Sequence, residues 1–552
     1  MDIGIANFSD YLPVILNDIS SSCFVAIDFE LSGLAFPPSV PSITTPTVQE
    51  RYLEVKEAAE RYQILQVGLT ICHEDPHKVS YTLKPYNFNL SPITDPGNDV
   101  NRDWVFASRS MDFLLAQGFS IDTMCNTGIR YLSREEEQSA LRTAADRCRT
   151  RSPASDMQVQ QYDQECLEFL QSARLAINTW LAGGVKREDW LNIPPPRTID
   201  VASGEVPPGL SGIQRRLVHQ LIHIEYPTLT SRGAPTFIQI QMRNEEFEQK
   251  SSEAKLIAKK QRIRDHIGFR WVVEALVGGN LDGLGPEAFG PLRMKLKNPK
   301  FSVQQLSEQV KGQLKKNRPV LVGHNMFCDL LFFYSCFIGP LPNTLKEFNS
   351  AIHTLFPMLA DTKYMATHEC GLVPPQSSLE DLNLTVLPEI DQRFSKYKYR
   401  RSTHEAGYDS LLTAMAFLKL AGNVQRTSAI FPKKKPTFYP SNGPPRSLFT
   451  ITVDQQFRQL QLVQDCLNFY KREDEVSTAV EEVYEQVGQP NRSWQETGDR
   501  QITSLANRGK LVHRLGTIFW ANYGNKLRVF GTQEKLIHVG ANSPKEEMLI
   551  EF

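Results

Sequence analysis

At 552 residues the chain exceeds one ordinary core, so two to four domains are expected. A net charge of −1 excludes a protein that coats nucleic acid through a global positive field, though not one that holds a short strand in a cleft. Nine scattered cysteines without a Cys-x-x-Cys pair fit reduced thiols and exclude a disulfide framework or zinc finger.

Residues 1–20 carry Asp2, Asp10 and Asp18 and no basic stretch, so no signal peptide is expected. Phe8, Leu12, Ile15 and Leu16 make residues 6–20 an amphipathic helix. Phe24-Val-Ala-Ile-Asp28-Phe-Glu30 follows as a strand. Side chains two apart share a face, so Asp28 and Glu30 stand side by side. Taken alone, Asp-x-Glu more often ends a strand in two solvated acids than it binds a metal. Residues 36–47 read as a Pro/Ser/Thr-rich loop, 48–60 as a helix, and 64–71 and 79–83 as strands of a meander opening a mixed sheet. Residues 110–137 read as helix, turn, helix, with Ser133 and Glu136 forming a capping box.

A Pro/Gly-rich stretch, 192–212, precedes a basic helix from Ile213, a strand from Pro235 to Gln241 and a charged helix from Asn244 to Asp265. This segment reads as a small inserted domain. Pro319-Val-Leu-Val-Gly-His-Asn-Met-Phe-Cys-Asp329 is a buried strand, a tight turn and a helix start. Leu359-Ala-Asp361 ends another strand, and 378–384 is a further helix. His404-Glu-Ala-Gly-Tyr-Asp409 is a turn opening an apolar helix. Residues 430–447 form a basic, proline-rich linker, and the last hundred residues read as helices followed by strands near 526–530 and 535–539. No run approaches the roughly 18 apolar residues of a membrane-spanning helix, and the C-terminus carries no lipidation signal.

Asp329 and Asp409 each occupy the first turn of a helix, where the dipole alone favours an acid. With Asp28 and Glu30 they make four carboxylates at strand ends and helix starts, which calls for cations. Hard oxygen ligands favour magnesium or manganese over zinc. His404 is suited to take a proton from water near neutral pH, although a polar turn residue is an equally ordinary role for a histidine.

The order Asp-x-Glu, Asp, His-x4-Asp resembles the histidine branch of the DEDD exonuclease superfamily. Asp28-x-Glu30-x-Ser-Gly33, Arg61-Tyr62, Asp112-Phe-Leu-x-x-Gln-Gly-Phe, Gly323-His-Asn-Met-x-x-Asp329, Leu341-Pro, Asp361-Thr-Lys363 and His404-Glu-Ala-Gly-Tyr-Asp409 extend the resemblance to the poly(A)-specific ribonuclease family, which includes trimmers of small-RNA 3′ ends. The resemblance implies an α/β, ribonuclease H-like exonuclease domain with a mixed central sheet, formed by 1–169 and 266–429. An inserted α+β domain at 170–265 resembles the single-stranded nucleic-acid module named for Arg215-x-x-x-His219. The linker 430–447 then leads to a small α+β domain at 448–552, where the family resemblance ends and no cap-binding RNA-recognition signature is found.

The activity so implied is 3′–5′ exoribonuclease action releasing 5′-monophosphates, by deadenylation or by 3′-end trimming of small or non-coding RNA. The alternative is a catalytically weak RNA-binding scaffold. Catalytic residues would be Asp28, Glu30, Asp329, His404 and Asp409. By analogy Asp28, Glu30 and Asp409 share one Mg2+, Asp28 and Asp329 hold a second, and Mn2+ substitutes; Glu30 alternatively bonds the terminal ribose. Leu31, Leu34 and Phe113 would bed the 3′ nucleotide, and Asn325 and Lys363 would contact ribose and phosphate. The partner would be a single-stranded RNA 3′ end. Relatives that pair through the nuclease domain imply a homodimer, without a membrane, in nucleus or cytoplasm.

Overall fold

Strand Phe24–Leu31 is apolar at every position except Asp28 and Glu30, and such a strand needs cover on both faces. The computed structural model supplies that cover. The structure describes residues 1–34, 46–75, 80–149, 164–184, 188–194, 209–296, 301–368, 389–394, 396–399, 404–430, 515, 518–530 and 536–540. The expected helix at 378–384, the linker 430–447 beyond its first residue and most of the loop at 36–47 lie outside them.

In chain order the first elements are β1 (Asp2–Ile3), α1 (Ile5–Ser20), β2 (Phe24–Leu31), α2 (Val48–Arg61), β3 (Ile64–Asp75), β4 (Ser80–Ser91), α3 (Ser108–Ala116), β5 (Ile129–Arg130) and α4 (Arg134–Arg149). Next come α5 (Gln164–Ala182), β6 (Trp190–Ile193), α6 (Gly212–Glu225), β7 (Leu229–Gly233), β8 (Ile238–Met242) and α7 (Glu245–Asp265). The chain continues through α8 (Arg270–Val277), α9 (Gly290–Lys295), α10 (Val303–Lys316), β9 (Val320–Gly323), α11 (Phe327–Phe337), α12 (Leu345–Leu355), β10 (Leu359–Asp361) and α13 (Thr362–Thr367). It closes with β11 (Glu389–Ile390), α14 (Lys396–Tyr399), α15 (Ala406–Ile430), α16 (Ile518–Tyr523), β12 (Lys526–Arg528) and β13 (Leu536–His538).

Two units result. The first combines Met1–Asp95, Val100–Glu136 and the described part of His266–Phe552. Its sheet runs β1-β4-β3-β2-β9-β10, with β5 and β11 also on β4. The meander β2-β3-β4 is antiparallel, and β9 and β10 join parallel to β2, so the sheet is mixed as expected. β3 and β4 extend beyond the expected strands because their polar residues find partners within the sheet. Gln66 Nε2, for example, donates to Asn89 Oδ1 at 2.8 Å.

The alternation of β2 divides the core. Val25, Ile27, Phe29 and Leu31 bury on one side with residues of α1, α2, α8, α10, α11 and α12. Phe24 and Ala26 bury on the other with residues of α13, α15 and α16. Capping boxes start several helices, as the local sequence demands: Thr47 with Glu50, Ser133 with Glu136, Ser302 with Gln305 and Thr344 with Glu347.

The described tail departs from the expectation of a separate domain at 448–552. Phe519, Trp520 and Tyr523 join one core cluster of the first unit, and Leu527, Val529, Ile537 and Val539 join the other. Apolar faces that complete an existing core do not need one of their own.

The second unit comprises Pro96–Asp99 and Glu137–Asp265. β6-β8-β7 form an antiparallel sheet. Leu170, Ala173 and Ile177 of α5 pack with Leu217, Val218 and Leu221 of α6 over Ile238 and Ile240 of β8. A start at 170 would cut through α5, whose residues share this core; the unit instead takes in the chain from Glu137, within α4.

Candidate active site

Asp28 and Glu30 stand opposite Gly68 and Gln66 in the β2-β3 register. A Cβ on Gly68 would collide with the carbonyl oxygen of Ala406, so glycine there lets the start of α15 lie directly on the sheet. The contact is stitched by Gly407 N donating to Asn87 Oδ1 at 3.1 Å and by the Thr70 and Ser410 hydroxyls at 2.8 Å. It brings Asp409, in the first turn of α15, to the two strand acids. One carboxylate oxygen from each of Asp28, Glu30 and Asp409 lies within 4.8 Å of the others. Asp329, in the first turn of α11 just past β9, adds its charge to Asp28 and Glu30.

The cluster is electrostatically incomplete. Burial pushes Asp28 and Glu30 well above the usual carboxylate range, and the charges of Asp409 and Asp329 push them further. Burial, then the charge of Asp361, raises Asp329 to about 7. Like charges at 4.8 Å repel by about 3–4 kcal/mol at an effective dielectric of about 20. Several such pairs consume a large share of a usual stability of about 5–15 kcal/mol unless protons or a cation neutralise them. The donor set is all carboxylate oxygen, which fits hard divalent cations such as Mg2+ or Mn2+.

His404 sits beside this cluster at φ +60°, in the left-handed region. Its backbone N–H donates to Asp409 Oδ2 at 3.1 Å. Its exposed ring meets Phe113 edge to face, centroids 4.7 Å apart. The intervening Glu405 accepts from Lys396 Nζ at 2.5 Å and from the Tyr397 hydroxyl, and its carbonyl accepts from Asp409 N at 3.0 Å. The turn bearing His404 and Asp409 is therefore anchored to α14.

A family model described as CAF1 family ribonuclease matches residues 3–417. The chain belongs to the CAF1 ribonuclease family. It is 26% identical over 449 residues to the poly(A)-specific ribonuclease PARN of Xenopus laevis, covering 76% of this chain and 62% of that protein's length. Over 443 residues it is 24% identical to the pre-piRNA 3′-exonuclease trimmer of Bombyx mori, covering 76% of this chain and 71% of that one. A solved structure of S. pombe Pop2p, in its Mg2+ and Mn2+ bound form, aligns over 75% of this chain and 89% of that one with 13% identity and a TM-score of 0.32.

In this CAF1-family chain the residues expected to bed a nucleotide divide. Leu34 and Phe113 are each 45% exposed, and Phe113 touches His404. Leu31 does not join them. It is 8% exposed and packs with Val25, Ile27 and Phe29, because strand alternation turns it away from Asp28 and Glu30. Asn325 lies at φ +57° in the turn between β9 and α11, and Lys363 is buried in α13.

Arg215 and His219 also have local tasks. Arg215 donates to the carbonyls of Leu210 and Pro235, and the His219 ring pairs with Ser231 Oγ at 2.8 Å. Arg215 thus holds loops of the second unit, and His219 ties α6 to β7.

Three contributors go beyond the sequence expectations: Gly68, Glu405 and Asp361. A glycine inside an apolar strand is a readable sign of close backbone approach. Glu405 lies between His404 and Asp409, but a glutamate in a turn carries no sign of its partners on α14. Asp361 is fully buried, and its carboxylate accepts from the backbone N–H groups of Asn325 at 2.8 Å and Lys363 at 2.9 Å. Beside it, His324 Nδ1 pairs with Thr362 Oγ1 at 2.9 Å, and burial followed by the Lys363 charge pushes its pKa down to about 3. His324 is thus neutral and bracing, not a base.

Proposed function

We propose that this chain is a divalent-cation-dependent 3′–5′ exoribonuclease that shortens single-stranded RNA from its 3′ end and releases 5′-monophosphates. The carrying observation is the convergence of Asp28, Glu30 and Asp409 within 4.8 Å, with His404 on the turn that leads to Asp409. The names of the relatives, a poly(A)-specific ribonuclease and a 3′-exonuclease trimmer, support the reaction class. Deadenylation and trimming of small RNA are the two substrate forms this reading covers.

Asp28, Glu30, Asp329 and Asp409 would hold two Mg2+ ions, or Mn2+ in their place. When bound, such ions lower the pKa of water and offset charge on the leaving oxygen. His404 accepts the proton of the attacking water. Phe113 and Leu34 would support the terminal base, and Asn325 and Lys363 would contact its ribose and phosphate. Contacts to the 2′-hydroxyl would favour RNA over DNA. We extend the reading to a homodimer acting in nucleus or cytoplasm, with light scattering as the check on its mass.

The test is a 5′-labelled oligo(A), and a mixed-sequence RNA of equal length, incubated with Mg2+. The expected product is a ladder of 3′-shortened RNAs that Asp28→Asn abolishes. Wild-type protein giving no ladder on either RNA would sink the reading. Equal shortening of both RNAs would favour trimming over strict adenine preference.

A further inference from the structure

We propose that the C-terminal segment α16-β12-β13 is a working part of this active site, and that Asp361 is the positioning residue through which it acts. The inference rests on reading Asp28, Glu30, Asp329 and Asp409 as cation ligands. The family match ends at residue 417, about a hundred residues before this segment begins, so the match gives the segment no role.

β10 is the last strand of the sheet, and an edge strand presents backbone groups that want partners. The tail supplies them. Leu359 N donates to Asn525 Oδ1 at 2.9 Å, Asn525 N donates to Leu359 O at 2.9 Å, and Asn525 Nδ2 donates to Pro357 O at 3.0 Å. Asn525 does this at φ +58°, a conformation asparagine tolerates better than most residues. Phe519 and Trp520 fix the segment from the other side, with ring centroids 6.4 and 6.2 Å from that of Phe417 in α15.

The docking ends at a carboxylate. Arg528 N donates to Asp361 Oδ2 at 3.2 Å, while Asp361 Oδ1 accepts from Asn325 N and Lys363 N. A fully buried carboxylate keeps its place only while its oxygens are hydrogen-bonded. One of its bonds, to Asn325, holds the left-handed turn four residues before Asp329. Asp361 therefore links the tail to the turn that launches α11 and aims Asp329. Partners of this kind, one step removed from a cation, set its affinity by orienting the ligands.

The experiment uses the full-length chain and reads Mn2+ binding by electron paramagnetic resonance, with kcat and KM on oligo(A) and far-UV circular dichroism alongside. Arg528→Pro removes the N–H that reaches Asp361 Oδ2 from β12. Arg528→Lys keeps it. Asp361→Asn keeps an acceptor for Asn325 and Lys363 but turns a donor toward Arg528 N. We expect Arg528→Pro and Asp361→Asn to remain folded, to bind Mn2+ about 10- to 100-fold more weakly, and to lose kcat with KM unchanged, while Arg528→Lys binds Mn2+ like wild type. If Arg528→Pro does not fold, Asp361→Asn carries the test. Wild-type Mn2+ affinity in a folded Asp361→Asn chain overturns the proposal. So does loss of folding in both variants, which would make Asp361 an anchor of the fold alone. A wild-type chain that takes no Mn2+ overturns this inference and the cation reading together. One that takes Mn2+ but cleaves no RNA overturns only the nuclease reading.

Discussion

His404 and Leu31 show how a single residue's task depends on which way its backbone turns it. His404 is exposed, held at φ +60° and tied through its own N–H to Asp409, so its ring is placed without being a ligand. Replacing it by alanine should slow hydrolysis by about 10²–10⁴-fold and leave Mn2+ affinity unchanged. A loss of Mn2+ binding in that variant would make it a ligand instead. Leu31 should behave in the opposite way. As a core residue, Leu31→Ala should cost about 2–5 kcal/mol of stability in a denaturant titration and leave the preference among 3′ nucleotides as it was. A change of base preference at wild-type stability would return Leu31 to the cleft. The four acids were legible because carboxylates in that order and at those element ends are hard to keep together without a cation. The direction of Leu31 was legible too, from strand parity, which points it away from the cleft that the resemblance to relatives implies for it. Asp361 stood in a quoted motif, but its task was hidden for a different cause. A buried carboxylate satisfied by backbone amides looks, in sequence, like any strand-end aspartate.

At the scale of elements, the site is made where the start of α15 lies on the β2-β3 ladder and the first turn of α11, just past β9, adds Asp329. α15 approaches β3 so closely that only glycine fits at position 68. Gly68→Ala should cost about 1–3 kcal/mol by overpacking and should reduce hydrolysis beyond what the unfolded fraction explains, because the strain is relieved by moving Ala406 and, with it, Asp409. The check is turnover measured well below the melting temperature. Near-normal turnover would mean that the helix start can shift without disturbing the acids. Sequence periodicity identified these elements well, since β2 is apolar on both faces and the capping boxes are local. It did not reveal how α16, β12 and β13 are used. Their apolar residues suit a separate domain as well as they suit the rim of an existing one, and long-range contacts such as Asn525 with Leu359, Arg528 with Asp361 and Phe519 with Phe417 separate the two.

The whole molecule inherits the cost of gathering negative charge. In the cation-free chain Asp329 titrates near 7 in the folded state against 3.8 unfolded, so between those values the folded chain binds more protons. Stability must therefore fall as pH rises through that range. Asp28 and Glu30, also raised, act in the same direction. In chelator, the melting temperature should be higher near pH 5 than near pH 7 by more in wild type than in Asp329→Asn. Mg2+ should close the gap, since a ligand at about 100 times its Kd adds about 2.7 kcal/mol. A wild-type melting temperature independent of pH and Mg2+ would show that the acids do not feel one another.

The parallel pairing of β2 with β9 has a temporal consequence. Phe24 pairs with Val320, and almost three hundred residues lie between them. The second unit, apart from Pro96–Asp99, is one continuous stretch between them and has its own core. On a ribosome, where domains generally fold as units and the N-terminal parts appear first, that stretch can compact before the sheet around it closes. The four acids cannot meet until the start of α15 has emerged. The acid cluster is therefore a late product of synthesis, gathered only after the second unit has had the chance to fold.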